Sequence, residues 1–328
     1  MEKQTFDSFY HEIFGDRWTS LKEALLAEEQ KDRVDFFGKT YFMDRGSVLA
    51  AEALEVKQGE RVLDLCAAPG GKALLIIQQL KKTDLGDAED SFLSRPRDKK
   101  DTGAAGPKSP IVINERSRIR RARLQKVLQE YLPSEIFSQV RITGHDATQW
   151  CLHEKEAYDK ILLDAPCSSE RHVLQSAKAM KEWSSSRTKR LAAQQYAMLA
   201  SALQVVKPGG WIVYSTCSIS PLENDGVVER LIERKGDFVR ILRPDFPIGE
   251  ETKQGWWILP DITGWGPTYT AVLEKKPLKK QLVDAGSPHK VSDTLRGGVP
   301  VKCPILYNEF LDTTFLAEAE EKSRGGDE

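Results

Sequence analysis

Two cysteines carry the first chemical signal in this chain, because each sits just past an apolar, strand-like run: one in Asp164-Ala-Pro-Cys167, the other in Ser215-Thr-Cys-Ser218. A thiolate is a strong nucleophile near neutral pH, and it forms covalent intermediates readily. A lone free cysteine is usually a small buried hydrophobe. Two of them at strand-to-loop junctions, beside polar neighbours, point instead to a reacting pair. A third segment, Val62-Leu-Asp-Leu-Cys-Ala-Ala-Pro-Gly-Gly-Lys72, runs from an apolar strand through a glycine-rich turn into a helix. That order of elements seats nucleotide-like ligands.

These groups need a scaffold that brings strand ends together. Short apolar runs at Val62–Leu65, Ile111–Ile113, Val140–Ile142, Ile161–Leu163 and Trp211–Tyr214 alternate with amphipathic stretches. Such alternation predicts right-handed βαβ units and an α/β fold, with a doubly wound, mostly parallel sheet. Ahead of it, residues 1–37 read as a small N-terminal helical cap, with Trp18, Leu21 and Leu25 at helical spacing, Leu26 beside them and a charged run from Glu28 to Arg33. The main domain is expected over 38–276. Residues 81–110, rich in Lys, Asp, Gly, Ser and Pro, read as a flexible insert. Residues 277–328 read as a C-terminal extension in which Pro304–Tyr307 is a candidate docking segment. No internal repeat is evident.

In the glycine turn, Cys66, Ala67, Ala68, Pro69, Gly70, Gly71 and Lys72 are candidates for ligand contact. The glycines would let backbone approach a ligand closely, and the next helix would point its first amides inward. The spacing fits neither a dinucleotide fingerprint nor a phosphate loop. Glu115 follows Asp64 by 51 positions. Setting the insert aside leaves roughly twenty, the separation at which nucleotide folds place a ribose-binding acid. Asp146, after the third strand, is placed to face an adenine amino group. The implied ligand is a nucleoside with a non-phosphate tail, which fits S-adenosylmethionine.

Composition narrows the partners. With 48 basic against 49 acidic side chains, any nucleic-acid surface must be a local patch. The five scattered cysteines suggest reduced thiols rather than a disulfide framework or a metal site. The N-terminus lacks a signal-like apolar core, and no run approaches the ~18 apolar residues of a membrane span. A soluble, cytoplasmic protein is expected, with no metal and no membrane partner.

A cysteine pair beside such a cofactor suits carbon methylation, since C5 of cytosine becomes nucleophilic only after a thiolate adds at C6. Here the motifs carry a resemblance. Asp64–Lys72, Asp164–Cys167 and Ser215–Ser218 resemble those of the Sun-type RNA cytosine-5 methyltransferases, over roughly residues 38–274. Tyr41-Phe-Met-Asp44 with Ser47, Cys167-Ser-Ser-Glu-Arg-His172 and Gly266-Pro-Thr-Tyr269 are similar to a short branch containing mitochondrial ribosomal-RNA and methionine-tRNA enzymes. The long insert, the tail and the lack of a separate RNA-binding domain depart from the pattern.

The resemblance implies a Rossmann-like class I methyltransferase domain and assigns roles. Cys217 is the nucleophile, Cys167 assists release by β-elimination, and Asp164 holds the base edge and borders the methionine end of S-adenosylmethionine, which Lys72 orients. A base in looped or single-stranded RNA is the expected target, with ribosomal RNA ahead of transfer RNA. Candidate RNA contacts are Arg171 and His172, beside Cys167, and Arg187, Lys189 and Arg190, which open the helix before the fifth strand. The denser run Arg116, Arg118, Arg120, Arg121, Arg123 and Lys126 reads either as a second RNA contact or as a solvated helix face. A protein partner that assists RNA recruitment is a further expectation. Two alternatives stay open, a DNA cytosine methyltransferase and a cofactor-binding assembly factor with dispensable catalysis.

Overall fold

A computed structural model describes residues 4–84 and 110–277. The expected tail beyond 277, with Pro304–Tyr307, and most of the expected insert lie outside the described residues.

The chain opens with α1 (Phe6–Phe14) and α2 (Arg17–Leu26). Thr5 caps α1 by accepting from the Ser8 amide, while the Ser8 side chain accepts from the Thr5 amide, which satisfies two amides that have no partner within the helix. Phe6, Tyr10 and Trp18 bury one face of this pair against Trp183, with Phe6–Tyr10 ring centroids 4.7 Å apart and Phe6–Trp183 5.1 Å apart. The helical part of the cap ends at Leu26, short of residue 37. A hairpin takes over from there, built of β1 (Asp32–Phe36) and β2 (Lys39–Met43). Arg33-Val34-Asp35-Phe36 alternates with the period of a strand, and its two-residue loop has positive φ at both Phe37 (49°) and Gly38 (83°). Such a loop matches the twist of the flanking strands.

α3 (Arg45–Glu52) leads to β3 (Val62–Asp64), α4 (Gly71–Asp84), β4 (Ile111–Asn114), α5 (Arg118–Tyr131), α6 (Ser134–Phe137) and β5 (Val140–Thr143). β6 (Tyr158–Asp164), the short helices α7 (Glu170–Gln175) and α8 (Ala177–Glu182), the long α9 (Ser185–Val205) and β7 (Val206–Thr216) come next. α10 (Asp225–Lys235), β8 (Val239–Leu242), β9 (Glu250–Glu251), β10 (Trp256–Ile258), α11 (Pro260–Thr263) and β11 (Thr268–Lys275) complete the described chain. All five strands read from the apolar runs are present, each extended or trimmed by a few residues.

The main sheet runs β5-β4-β3-β6-β7-β11-β10-β9, with β8 also paired to β11. β3 to β7 are parallel, and β11 adds antiparallel to β7. Val62, Leu63, Ile111, Val112 and Ile113 are buried whichever way they point, as expected for strands covered by helices on both faces. The strand order reverses between β3 and β6. At such a switch point the carboxyl ends of neighbouring strands open a crevice, and Asp64, Asp164 and Thr216 end β3, β6 and β7 there.

Candidate active site

On the β3 side, the glycine turn is fixed mainly by the protein itself. Gly70 has φ +129°, a conformation that side-chain-bearing residues rarely adopt, and an added Cβ would stand 3.1 Å from Val127 and 3.2 Å from Leu124 of α5. The expected reason, close approach to a ligand, is therefore secondary to packing at Gly70. Arg120 donates to the Ala68 carbonyl at 2.8 Å, and the Ala67 amide donates to the Asn114 carbonyl at 2.9 Å. Together these bonds hold Cys66–Gly71 as one rigid turn.

Next to the turn lies a cleft of about 390 Å³, lined by Leu65, Cys66, Glu115, Ala147, Pro166, Gln194 and Met198 among others. Its size lies within the ordinary range for small-ligand sites. Glu115 is buried; one carboxylate oxygen accepts from the Ser117 amide at 2.8 Å. The other lies 3.2 Å from Arg120 yet has no aligned donor. A buried carboxylate oxygen short of a hydrogen bond at this strand end fits a ribose hydroxyl. Asp146 does not line the cleft. One of its oxygens caps the following 3₁₀ turn through the Thr148 amide and hydroxyl, and the other pairs with Arg116 at 3.0 Å. Its neighbour Ala147 faces the space, while the Asp146 carboxylate is held at the cleft's edge by these local bonds. Gln194 and Met198 escape a reading by strand ends, since they arrive from α9; their four-residue spacing on one helix face is the signal that marks them.

At the centre, Lys72 bridges the two sides. Its ammonium donates to Asp164 at 2.8 Å and to the Ser47 hydroxyl at 3.0 Å. Burial works against the Lys72 charge, but Asp164 more than offsets it and holds the ammonium above its usual range. Ser47 is positioned in turn by Asp44, which accepts from the Ser47 amide at 3.1 Å, the Gly266 amide at 2.8 Å and the Thr268 hydroxyl at 3.3 Å. The motif fragments at 41–47 and 266–269 thus meet at one carboxylate. Asp64 is fully buried beside them, and desolvation, reinforced by Asp164, pushes its carboxyl up to about 8. Near neutral pH it is largely protonated, and its Oδ2 has no partner among the described residues.

The thiols meet on the far side of Asp164. Cys167 and Cys217 approach to 2.9 Å between sulfurs, and the Ser169 hydroxyl lies 3.2 Å from Cys217 and 3.6 Å from Cys167. The hydrogen bond from Cys167 and a second from Ser169 lower the Cys217 thiol against the opposing effect of burial. Cys167 moves the other way, raised by its bond to Cys217 and by burial. Of the two thiols, Cys217 is therefore the more readily ionised. Cys66 is pushed up strongly by burial and nearby acids, which makes it an inert wall of the cleft. Ser169 holds a left-handed backbone, φ 56°. That conformation costs roughly 1–3 kcal/mol for such a residue, and here it turns the hydroxyl onto both sulfurs.

The expected RNA contacts separate into two groups. Arg171 is corrected: its guanidinium donates to the carbonyls of Leu25 (3.1 Å), Ala27 (3.0 Å) and Gly266 (2.9 Å), so it ties the N-terminal helices to the body. His172 and Arg190 are exposed, while Arg187 and Lys189 are half-buried in the first turns of α9. In the denser run, Arg116, Arg120 and Arg121 are engaged with Asp146, Glu115, Ala68 and neighbouring carbonyls. Those three side chains thus hold the β4 end and the glycine turn.

Comparison with known proteins agrees with this architecture. The family model described as 16S rRNA methyltransferase RsmB/F matches residues 103–274. The mouse 5-cytosine rRNA methyltransferase NSUN4 is 33% identical over 255 residues, covering 72% of this chain and 60% of the relative. The mouse mitochondrial tRNA (cytosine(34)-C(5))-methyltransferase is 29% identical, covering 72% and 64%. The chain thus spans somewhat less than two thirds of the length of the curated relatives it matches. A methyltransferase homolog from Pyrococcus horikoshii has the same fold, with a TM-score of 0.59 at 20% identity, over 81% of this chain and 93% of that one. Among the described residues, no helix is long and apolar enough to cross a membrane. With the family model spanning more than half of the chain and the strand-end residues assembled in one crevice, the chain belongs to the RsmB/F family of 16S rRNA methyltransferases.

Proposed function

We propose that this chain methylates C5 of a cytosine in RNA, with S-adenosylmethionine as the methyl donor and a covalent bond from Cys217 to C6 of the base. The observation that carries the reading is the asymmetric thiol pair, 2.9 Å apart, with Cys217 lowered and Cys167 raised. A thiol pair in which one partner ionises more readily than the other suits an addition followed by an elimination.

The Cys217 thiolate adds to C6, forming the S–C6 bond and moving the C5–C6 π electrons onto C5 and the N3–C4 edge. Asp164 stands at the strand end beside this edge and supports protonation near N3. Bound S-adenosylmethionine supplies an electrophilic methyl group at C5. Water takes the C5 proton, the electron pair returns to C5–C6 as the Cys217 thiolate leaves, and N3 gives up the proton it gained, with Cys167 assisting the release of the thiolate. The Cys66–Lys72 turn, Glu115, Asp164 and the Gln194–Met198 face of α9 would hold the donor, and Lys72 would orient its charged end. The half-satisfied Glu115 carboxylate suits a ribose hydroxyl.

Ribosomal RNA is the favoured target, in line with the family description and the names of several relatives. Transfer RNA is the second reading, favoured by a relative of comparable coverage. Looped or single-stranded cytosine is proposed because flipping a paired base costs a few kcal/mol. His172, Arg187, Lys189 and Arg190 are proposed phosphate or nucleotide contacts, and a protein partner would supply further RNA affinity. The expectation of a cytoplasmic protein gives way to a mitochondrial one, prompted by a relative named as mitochondrial; subcellular fractionation checks this. The test of function is incubation of purified protein with S-adenosylmethionine and total RNA, followed by mass spectrometry of nucleosides. New 5-methylcytosine, mapped to ribosomal RNA, is the expected result. Cofactor binding without any modified RNA, with or without cell extract, would favour an assembly role.

A further inference from the structure

Directly beneath the thiols lies a buried polar cluster that the proposed chemistry does not use. Each cysteine is followed by a serine, and the Ser168 and Ser218 hydroxyls stand 3.1 Å apart. Both serines contact the same two carboxylate oxygens. Ser168 bonds to Glu170 and to Glu223, and Ser218 reaches Glu170 at 3.1 Å and Glu223 at 3.3 Å. All four side chains are buried.

The second oxygens of these carboxylates are exchanged crosswise. Glu223, from the Cys217 loop, accepts from the Ser168 amide at 3.0 Å, immediately after Cys167. Glu170, from the Cys167 loop, accepts from the Ile219 amide at 3.0 Å, just beyond Cys217. Each loop therefore holds the other's backbone. Gln195 of α9 donates to Glu223 at 2.7 Å, and Tyr10 of α1 donates to Glu170 at 2.5 Å, which extends the cluster to the long helix and the N-terminal cap.

Proton counting shows what state the cluster adopts. The Ser168, Ser218 and Tyr10 hydroxyls supply three hydrogens for six close oxygen–oxygen contacts, and among the described residues no Lys or Arg pairs with either carboxylate. Two ionised carboxylates sharing a buried site without a cation repel strongly, and such pairs retain a proton. A proton retained on Glu223 both relieves the repulsion and makes a further contact a hydrogen bond. Burial and Glu170 push the Glu223 carboxyl up to about 7, in the same direction.

We propose that Glu170 and Glu223 are positioning residues for the thiol pair: a crosswise, hydrogen-bonded lock between the two cysteine loops that fixes Cys167 against Cys217. The lock acts through geometry, since the hydrogen bond from Cys167 that favours ionisation of Cys217 survives only while the two loops stay in register. This inference rests on the reading of Cys217 as the reactive thiolate.

The test is the rate at which iodoacetamide alkylates Cys217 in the full chain, followed by peptide mass spectrometry near neutral pH, without RNA or methyl donor. Wild-type Cys217 is expected to react faster than Cys66. Glu223→Ala and Glu170→Ala are expected to slow Cys217 by roughly tenfold, the weight of one lost hydrogen bond to a charged acceptor. Glu223→Gln keeps the acceptor for the Ser168 amide and is expected to restore the rate to within about threefold of wild type. If the alanine variants do not fold, Ser168→Ala and Ser218→Ala, which delete only a hydroxyl, carry the same expectation of a slower Cys217. Wild-type rates in folded alanine or serine variants, or equal losses in Glu223→Gln and Glu223→Ala, would overturn the lock. The result separates the two proposals: an intact rate pattern with no RNA methylation removes only the proposed function, and methylation without the pattern removes only the lock.

Discussion

The two sides of the crevice manage their acids in opposite ways. On the cofactor side three carboxylates have a cation, Glu115 with Arg120, Asp146 with Arg116 and Asp164 with Lys72, while the fully buried Asp64 lacks an ion-pair partner among the described residues. On the thiol side Glu170 and Glu223 have only hydroxyls, amides and each other. Glu223, buried without a cation, is pushed up towards its protonated form and serves as a structural joint with Glu170. The same residue type therefore binds on one side and positions on the other, and the difference is set by which bases the fold supplies.

The comparison breaks most sharply at the thiols. Cys217→Ala is expected to reduce RNA methylation by more than about 10³-fold while leaving cofactor affinity within about twofold, measured by nucleoside mass spectrometry and calorimetry. Removing a cation from the cofactor side comes next. Lys72→Met strips Asp164 of its partner at the centre of the crevice and is expected to weaken S-adenosylmethionine binding by roughly 10- to 100-fold, read by calorimetry.

Arg171→Ala should destabilise the fold by about 1–3 kcal/mol, through loss of its three carbonyl bonds, and should leave the salt dependence of RNA binding unchanged. A change in that salt slope would return Arg171 to the RNA surface. For Arg190→Ala the expectation is reversed and smaller, with a salt slope shallower by about one and little loss of stability.

A pH experiment sharpens the contrast. The Asp64 carboxyl rises from 3.8 to about 8 on folding, and Glu223 rises from 4.5 to about 7. The folded state thus binds protons more tightly than the unfolded one. The stability from these groups is complete below about pH 4 and is lost as pH climbs through about 7 to 8. Asp64→Asn is expected to flatten the decline over this window in denaturant titrations. An unchanged slope would mean that Asp64 is ionised in the folded protein.

Much of this architecture was legible in the sequence because it is local. Val62–Leu65, Ile111–Ile113 and Trp211–Tyr214 are apolar runs that only a doubly covered sheet can bury, and the Pro69-Gly70-Gly71 turn advertises its own geometry. The hairpin at 32–43 was obscured by charges that lie on its exposed face, although the period of two was present. Arg171 misled through its position, since a cation beside a reactive cysteine invites a substrate contact while the carbonyls it serves come from distant segments. The Asp44 hub and the Glu170–Glu223 cluster join residues far apart in the chain, 222 positions for Asp44 and Gly266 and 160 for Tyr10 and Glu170. No periodic pattern encodes such contacts. Ser169 was silent for another reason: its left-handed backbone is visible only once β6 and α7 are in place.

The central claim is that the two sulfurs have different roles, and the most direct measurement is the residue to which RNA becomes attached. Cys167→Ala, incubated with RNA and S-adenosylmethionine and analysed on denaturing gels with peptide mapping, is expected to accumulate an RNA adduct on Cys217, while Cys217→Ala yields none. An adduct mapped to Cys167 in the Cys217→Ala protein, or 5-methylcytosine produced by that protein at the wild-type rate, would contradict the account.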